Sequence, residues 1–239
     1  MTIPATPSRA QPAAGCARLA YRVVDTLGGR YSTALGIDVD AGDAQIERWF
    51  LAATLFGTRI TAQTAERTFR VLTSVGLVRV GQARHIPHDT FIGYLDEGGY
   101  ARYDEQTVAR LQALSEIIGE RYEGRAALIG QRHTTYPALR AALEVLPGWG
   151  PVTIQLFLRE LRGVWPGAQP PLDPRAEYAA RHLSLTAQVS PELPALTRLA
   201  ADAGIDPRDL ESGLVRLTLA HHRRRMSPCP GGDLCAALT

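Results

Sequence analysis

Leu146-Pro147-Gly148-Trp149-Gly150-Pro151-Val152-Thr153 is the stretch whose reading decides the fold. Ahead of it Leu139, Ala142, Leu143 and Leu146 recur at helical spacing, and Pro147-Gly148 stops that helix. Pro151 then suits the first position of a new helix, where its missing N–H costs nothing. The stretch therefore predicts a helix, a hairpin and a second helix. Gly148 and Gly150 allow a sharp turn and a close backbone approach to a ligand. The first N–H groups of the second helix have no acceptor within it, and such an end attracts anions. An ordinary packing corner between two helices is the alternative reading of the same residues.

Downstream, Asp173-Pro174-Arg175-Ala176-Glu177-Tyr178-Ala179-Ala180-Arg181-His182-Leu183 opens another helix, with Asp173 as its N-cap and Pro174 at its first position. Together the hairpin and this segment resemble the helix-hairpin-helix DNA glycosylases of the endonuclease III-like superfamily. Their hairpin reads Leu-Pro-Gly-x-Gly and grips a DNA phosphate through its backbone. Their catalytic aspartate stands at the entry to a helix patterned Asp-x6-Ala-x2-Leu, which Asp173, Ala180 and Leu183 match. The resemblance implies that Asp173 is the catalytic carboxylate, a role compatible with capping.

The resemblance extends to Leu55-Phe56-Gly57-Thr58-Arg59-Ile60-Thr61, which is similar to the family's Ser-Ala-Gln-x-Thr-Asp junction. Phe56 falls where many members carry a glutamine that fills the gap left by a flipped base, and Arg59 replaces the usual aspartate. An aromatic wedge is physically capable of that task, and core packing is the other reading of Phe56. Gly98-Gly99-Tyr100 and the helix after it resemble a second family segment, with Asp104 or Glu105 where a lysine is common. Gly124 reads as the C-cap of that helix. Residues 128–136 look like an insertion and read as a solvated loop whose Gln131, Arg132 and His133 are alternatively pocket-lining.

No strand-type alternation and no repeat appears, so the expected class is all-α. By resemblance, residues 44–163 form a helical barrel carrying the hairpin, and residues 16–43 with 164–239 form a second helical domain. An inter-domain cleft holds Asp173 in that arrangement. Residues 1–15, rich in Thr, Pro and Ala, read as a disordered lead. Trp165 to Pro171 suits a domain-crossing linker.

With 239 residues, 45% of them hydrophobic, the chain can build a sizeable core, and a net charge of +2 permits nucleic-acid binding without demanding it. The apolar stretches fall short of a membrane span, and the N-terminal stretch lacks a signal-type apolar segment. A cytoplasmic, nucleoid-associated monomer is expected. Cys16, Cys229 and Cys235 make no disulfide framework. Cys229 and Cys235 are spaced like the last two ligands of the family's iron–sulfur loop, but Leu219 and Met226 occupy the two earlier positions and supply no thiolate. No cofactor is expected, while zinc held by His221 or His222 with those cysteines stays open.

The hairpin position filled by lysine in glycosylases that also cleave the strand corresponds to Val152, which cannot form a Schiff base. The implied activity is a monofunctional glycosylase acting on double-stranded DNA that contains a damaged or mismatched base. Gly148, Trp149, Gly150, Val152 and Thr153 would hold a phosphate at the hairpin. Leu55, Phe56 and Arg59 would meet the duplex at the junction, and Arg223 and Arg224 would add charge contacts, unless that arginine run is only a solvated basic face. A relative that binds DNA without catalysis is the alternative, and a helical protein-interaction module is a third.

Overall fold

The computed structural model describes residues 10–57, 60–100, 104–185 and 192–223, and over these the protein is helical, with no strand. Twelve α-helices follow in order: α1 Ala10–Leu27, α2 Tyr31–Ala34, α3 Asp43–Phe56, α4 Ala62–Ser74, α5 His88–Gly98, α6 Asp104–Tyr122, α7 Ala127–Arg132, α8 Tyr136–Glu144, α9 Pro151–Glu160, α10 Pro174–His182, α11 Leu193–Asp202 and α12 Pro207–Arg223. The chain divides into two compact units, one of Met1–Ala34 with Pro171–Thr239 and one of Leu35–Pro170.

In the Leu35–Pro170 unit, α3 is the buried axis: Ile46, Trp49, Phe50, Leu51, Ala52, Ala53 and Leu55 are all withdrawn from solvent. A helix apolar on every side must be surrounded, and α3 is packed by α4, α7 and α9. Trp49, Phe50, Trp149, Phe157 and Trp165 form one aromatic cluster, with Phe50 stacked on Trp149 at 4.3 Å and Trp149 edge-on to Phe157 at 5.1 Å. Each such pair contributes about 0.5–1.5 kcal/mol beyond the area it buries. Two of the cluster's indole N–H groups have acceptors, Trp49 Nε1 donating to the Phe157 carbonyl at 3.2 Å and Trp149 Nε1 to Thr54 Oγ1 at 3.2 Å.

Helix limits follow local signals. Thr61 caps α4 by accepting the Thr64 N–H, and Gly99 and Gly124 leave α5 and α6 at positive φ. The solvated-loop reading of residues 128–136 is corrected: Ala127–Arg132 is helical, because Glu47 Oε1 accepts the Ala127 N–H at 2.8 Å and caps α7 from across the unit. Gln131 Nε2 donates to Asp43 Oδ2, Arg132 pairs with Glu123, and His133 meets the Tyr122 hydroxyl, so these polar residues tie elements together. Residues 10–15, read as part of a disordered lead, belong to α1.

The other unit packs α1, α10, α11 and α12 through Ala20, Val23, Ala176, Ala179, Ala180, Leu196, Leu199, Leu210 and Leu214. Alanines on α10 let its backbone come close to α12. At the Gly28-Gly29 stop of α1, the Arg30 N–H and Nε both donate to Asp209 Oδ1, at 2.8 and 3.1 Å. Arg216 donates to the Gly29 carbonyl and lies over the Tyr31 ring, 3.8 Å from its centroid.

Candidate functional site

In the Leu35–Pro170 unit, α8 ends at Glu144 and α9 begins at Pro151, with a tight turn between them. The turn is closed by Leu146 N–H donating to the Leu143 carbonyl and Trp149 N–H donating to the Leu146 carbonyl, each at 3.0 Å. Gly148 sits at φ +82°, a conformation that L side chains rarely adopt. Gly150 is the N-cap of α9 in extended backbone, with no side-chain cap, and a Cβ placed on it would meet open space. Pro151 has no N–H. The Val152 and Thr153 N–H groups belong to the first turn and have no acceptor within the helix. Val152 itself is 58% exposed.

The side chains around this backbone point elsewhere. Trp149 is 2% exposed and its indole belongs to the aromatic core; Leu55 and Thr153 are buried as well. Any contact these three make with a ligand is therefore through their backbone. The structure does bring the hairpin helix against the end of α3. A Cβ on Gly57 would lie 2.1 Å from Thr153 Oγ1, so glycine is what allows that close approach. Beside it, the Tyr100 hydroxyl donates to the Leu55 carbonyl at 3.1 Å, satisfying an acceptor in the last turn of α3. Phe56 is partly buried, its ring 6.4 Å from that of Trp49. Thr58 and Arg59 lie outside the described residues.

Asp173 belongs to the other unit. It is 4% exposed and is the N-cap of α10, where its Oδ1 accepts the Arg175 N–H at 2.8 Å. The Asp173 N–H donates to Glu211 Oε1 at 3.0 Å, and Thr218 Oγ1 donates to the Arg175 carbonyl at 2.7 Å. Two buried residues of α12 thus hold the start of α10 in place. Glu211 escaped the sequence reading. It lies 38 residues from Asp173 in no motif, and nothing in its own neighbourhood signals the partnership. An aspartate fixed on both its backbone and its side chain is a pre-oriented carboxylate, whether for capping or for chemistry.

Arg223 ends α12 with its side chain outside the described part, and Arg224, Cys229 and Cys235 lie beyond the described residues. Among the described residues no cluster of His, Cys, Asp and Glu has metal-site geometry, and no helix is long and apolar enough to cross a membrane. No protein-family model matches the chain, and no curated protein matches it in sequence.

Proposed function

We propose that the protein is a monofunctional DNA glycosylase, hydrolysing the N-glycosidic bond of a flipped damaged or mismatched base in double-stranded DNA. The observation that carries this reading is the turn between α8 and α9, where Gly150 faces open space next to two uncapped first-turn N–H groups. Backbone donors of that kind take a phosphate without reading sequence. The Asp173 carboxylate is assigned the chemistry. As the C1′–N bond breaks, its electron pair leaves on the base, and the carboxylate stabilises the cation that develops on the sugar. A water oxygen then bonds to C1′ and releases a proton to Asp173 or solvent. The chain contains no lysine, and Val152 stands at the hairpin position, so the abasic product stays uncleaved.

The test is a panel of short duplexes carrying uracil, mismatched thymine, alkylated purines, oxidised pyrimidines or oxidised guanine, each treated with alkali after incubation. Strand cleavage at one lesion, dependent on alkali and lost in Asp173→Asn, is the expected result. Salt-dependent duplex binding with no excision across the panel refutes the enzyme. It would favour the second reading, a DNA-binding relative without catalysis. The engagement of Asp173 as a buried cap favours that reading too. Absence of salt-dependent binding by the folded protein refutes both.

A further inference from the structure

Two donors at the start of α10 go to acidic side chains. The Asp173 N–H donates to Glu211 Oε1 at 3.0 Å, Pro174 has no N–H, and the Arg175 N–H donates to Asp173 Oδ1 at 2.8 Å. The start of α9 is built differently, with no side-chain cap. Both carboxyl groups at α10 lie at the positive end of its macrodipole, which stabilises negative charge within the first turn. Glu211 and Thr218 stand seven residues apart on α12, two turns along one face, with Leu214 between them. Glu211, Thr218 and Leu214 are 1%, 2% and 0% exposed. Thr218 Oγ1 makes a second tether by donating to the Arg175 carbonyl at 2.7 Å. On α10 the small, buried Ala176, Ala179 and Ala180 leave room for a threonine to reach across.

We infer that Glu211 is a positioning residue for the excision reaction, gripping the Asp173 backbone from α12 so that the Asp173 carboxylate is held in one orientation. This rests on the glycosylase reading given above and adds to it a residue that no sequence motif contains. The capping bond to the Arg175 N–H fixes the carboxylate relative to α10. The bonds from Glu211 and Thr218 fix the start of α10 relative to α12. Stabilising a cation at C1′ needs such fixed geometry, because a reacting group misplaced by about 1 Å loses on the order of 10²-fold in rate. Glu211 acts here by reach and not by charge: any acceptor oxygen held at the same place grips the Asp173 N–H in the same way.

The experiment compares wild type with Glu211→Gln, which keeps the reach and removes the charge, and with Glu211→Asp, which keeps the charge and shortens the reach by one methylene. Single-turnover excision is followed on whichever duplex of the lesion panel wild type cleaves fastest after alkali. Duplex affinity is read by fluorescence anisotropy, folding by thermal unfolding, and exchange of the Asp173 amide proton by NMR of the free protein. Glu211→Gln should excise within about threefold of wild type and keep a slowly exchanging Asp173 amide. Glu211→Asp should lose roughly 10–100-fold in rate at unchanged duplex affinity, with a faster-exchanging amide. A folded Glu211→Asp that excises as fast as wild type makes Glu211 structural only and overturns this inference alone. A slow Glu211→Gln overturns it too, since charge and not reach then carries the effect. If Glu211→Asp does not fold at the assay temperature, Thr218→Val decides: it removes the second tether at nearly constant shape, and an unchanged rate in it overturns the inference. No excision by wild type across the panel sinks the glycosylase reading and this inference with it.

Discussion

Replacing Gly148 by alanine tests the packing of the turn without any knowledge of the substrate. Two costs are expected. The residue sits at φ +82°, and placing an L side chain in the left-handed region costs about 1–2 kcal/mol. The new Cβ would also stand 2.5 Å from Arg110 Cδ, so that side chain must retreat by about 1 Å to reach ordinary contact distance. Because the obstacle is a side chain and not backbone, the retreat should cost about 1 kcal/mol in off-rotamer strain. The total is roughly 2–3 kcal/mol, against ~5–15 kcal/mol for the stability of a whole domain. All three tryptophans, Trp49, Trp149 and Trp165, belong to the Leu35–Pro170 unit, so tryptophan fluorescence in a urea titration reports that unit selectively. A double-mutant cycle separates the two costs. In Gly148→Ala combined with Arg110→Ala the clash is gone and only the φ term remains, giving a coupling of about 1 kcal/mol. A single Gly148→Ala variant that loses less than about 0.5 kcal/mol, or a cycle with no coupling, would refute the reasoning.

Further outcomes follow from other buried groups. Burial raises the Glu47 carboxyl above its ordinary 4.5, against smaller lowering effects from the Ala127 and Ala126 N–H groups and from Arg79 and Arg125. The folded state therefore holds the Glu47 proton more tightly than the unfolded chain does, and this group favours folding at low pH and loses that contribution as pH rises through its folded pKa. Glu47→Gln, which keeps an acceptor for the Ala127 N–H, should gain on wild type as pH rises from 4 to 7 in paired denaturation curves; a wild type that gains instead contradicts the assignment. Trp149→Ala removes the ring stacked on Phe50 and the donor to Thr54, and should lower the stability of its unit by about 3–5 kcal/mol. A smaller loss in urea titration would mean that the turn is held by its backbone alone. In the other unit, Asp173→Asn should change thermal stability by less than about 1 kcal/mol, since asparagine caps nearly as well, while Asp173→Ala should lose about 1 kcal/mol. A large loss in the asparagine variant would show that the charge itself holds α10.

What the sequence determined by itself is where backbone direction changes. Gly124, Pro151 and Pro174 act through their own φ and through the N–H groups within one turn of them, so the end of α6 and the starts of α9 and α10 were readable from neighbours alone. The cap at Asp173 was readable for the same reason, since its acceptor lies two residues from the N–H it holds. The tertiary structure decided everything that depends on which residue a side chain finds across the fold. Residues 128–132 looked like loop because the carboxylate that accepts the Ala127 N–H at the start of their helix belongs to Glu47, 80 positions away. Trp149 sits between two glycines in a turn, and only the packing of α3 against α9 draws its indole into the core. Glu211 beside Asp173, and Arg110 beside Gly148, carry no local signature, because a charge placed by another helix leaves no periodicity in the segment it serves. Local sequence sets dihedral angles; burial and charge pairing are properties of the packed interior, where distance along the chain has no bearing on distance in space.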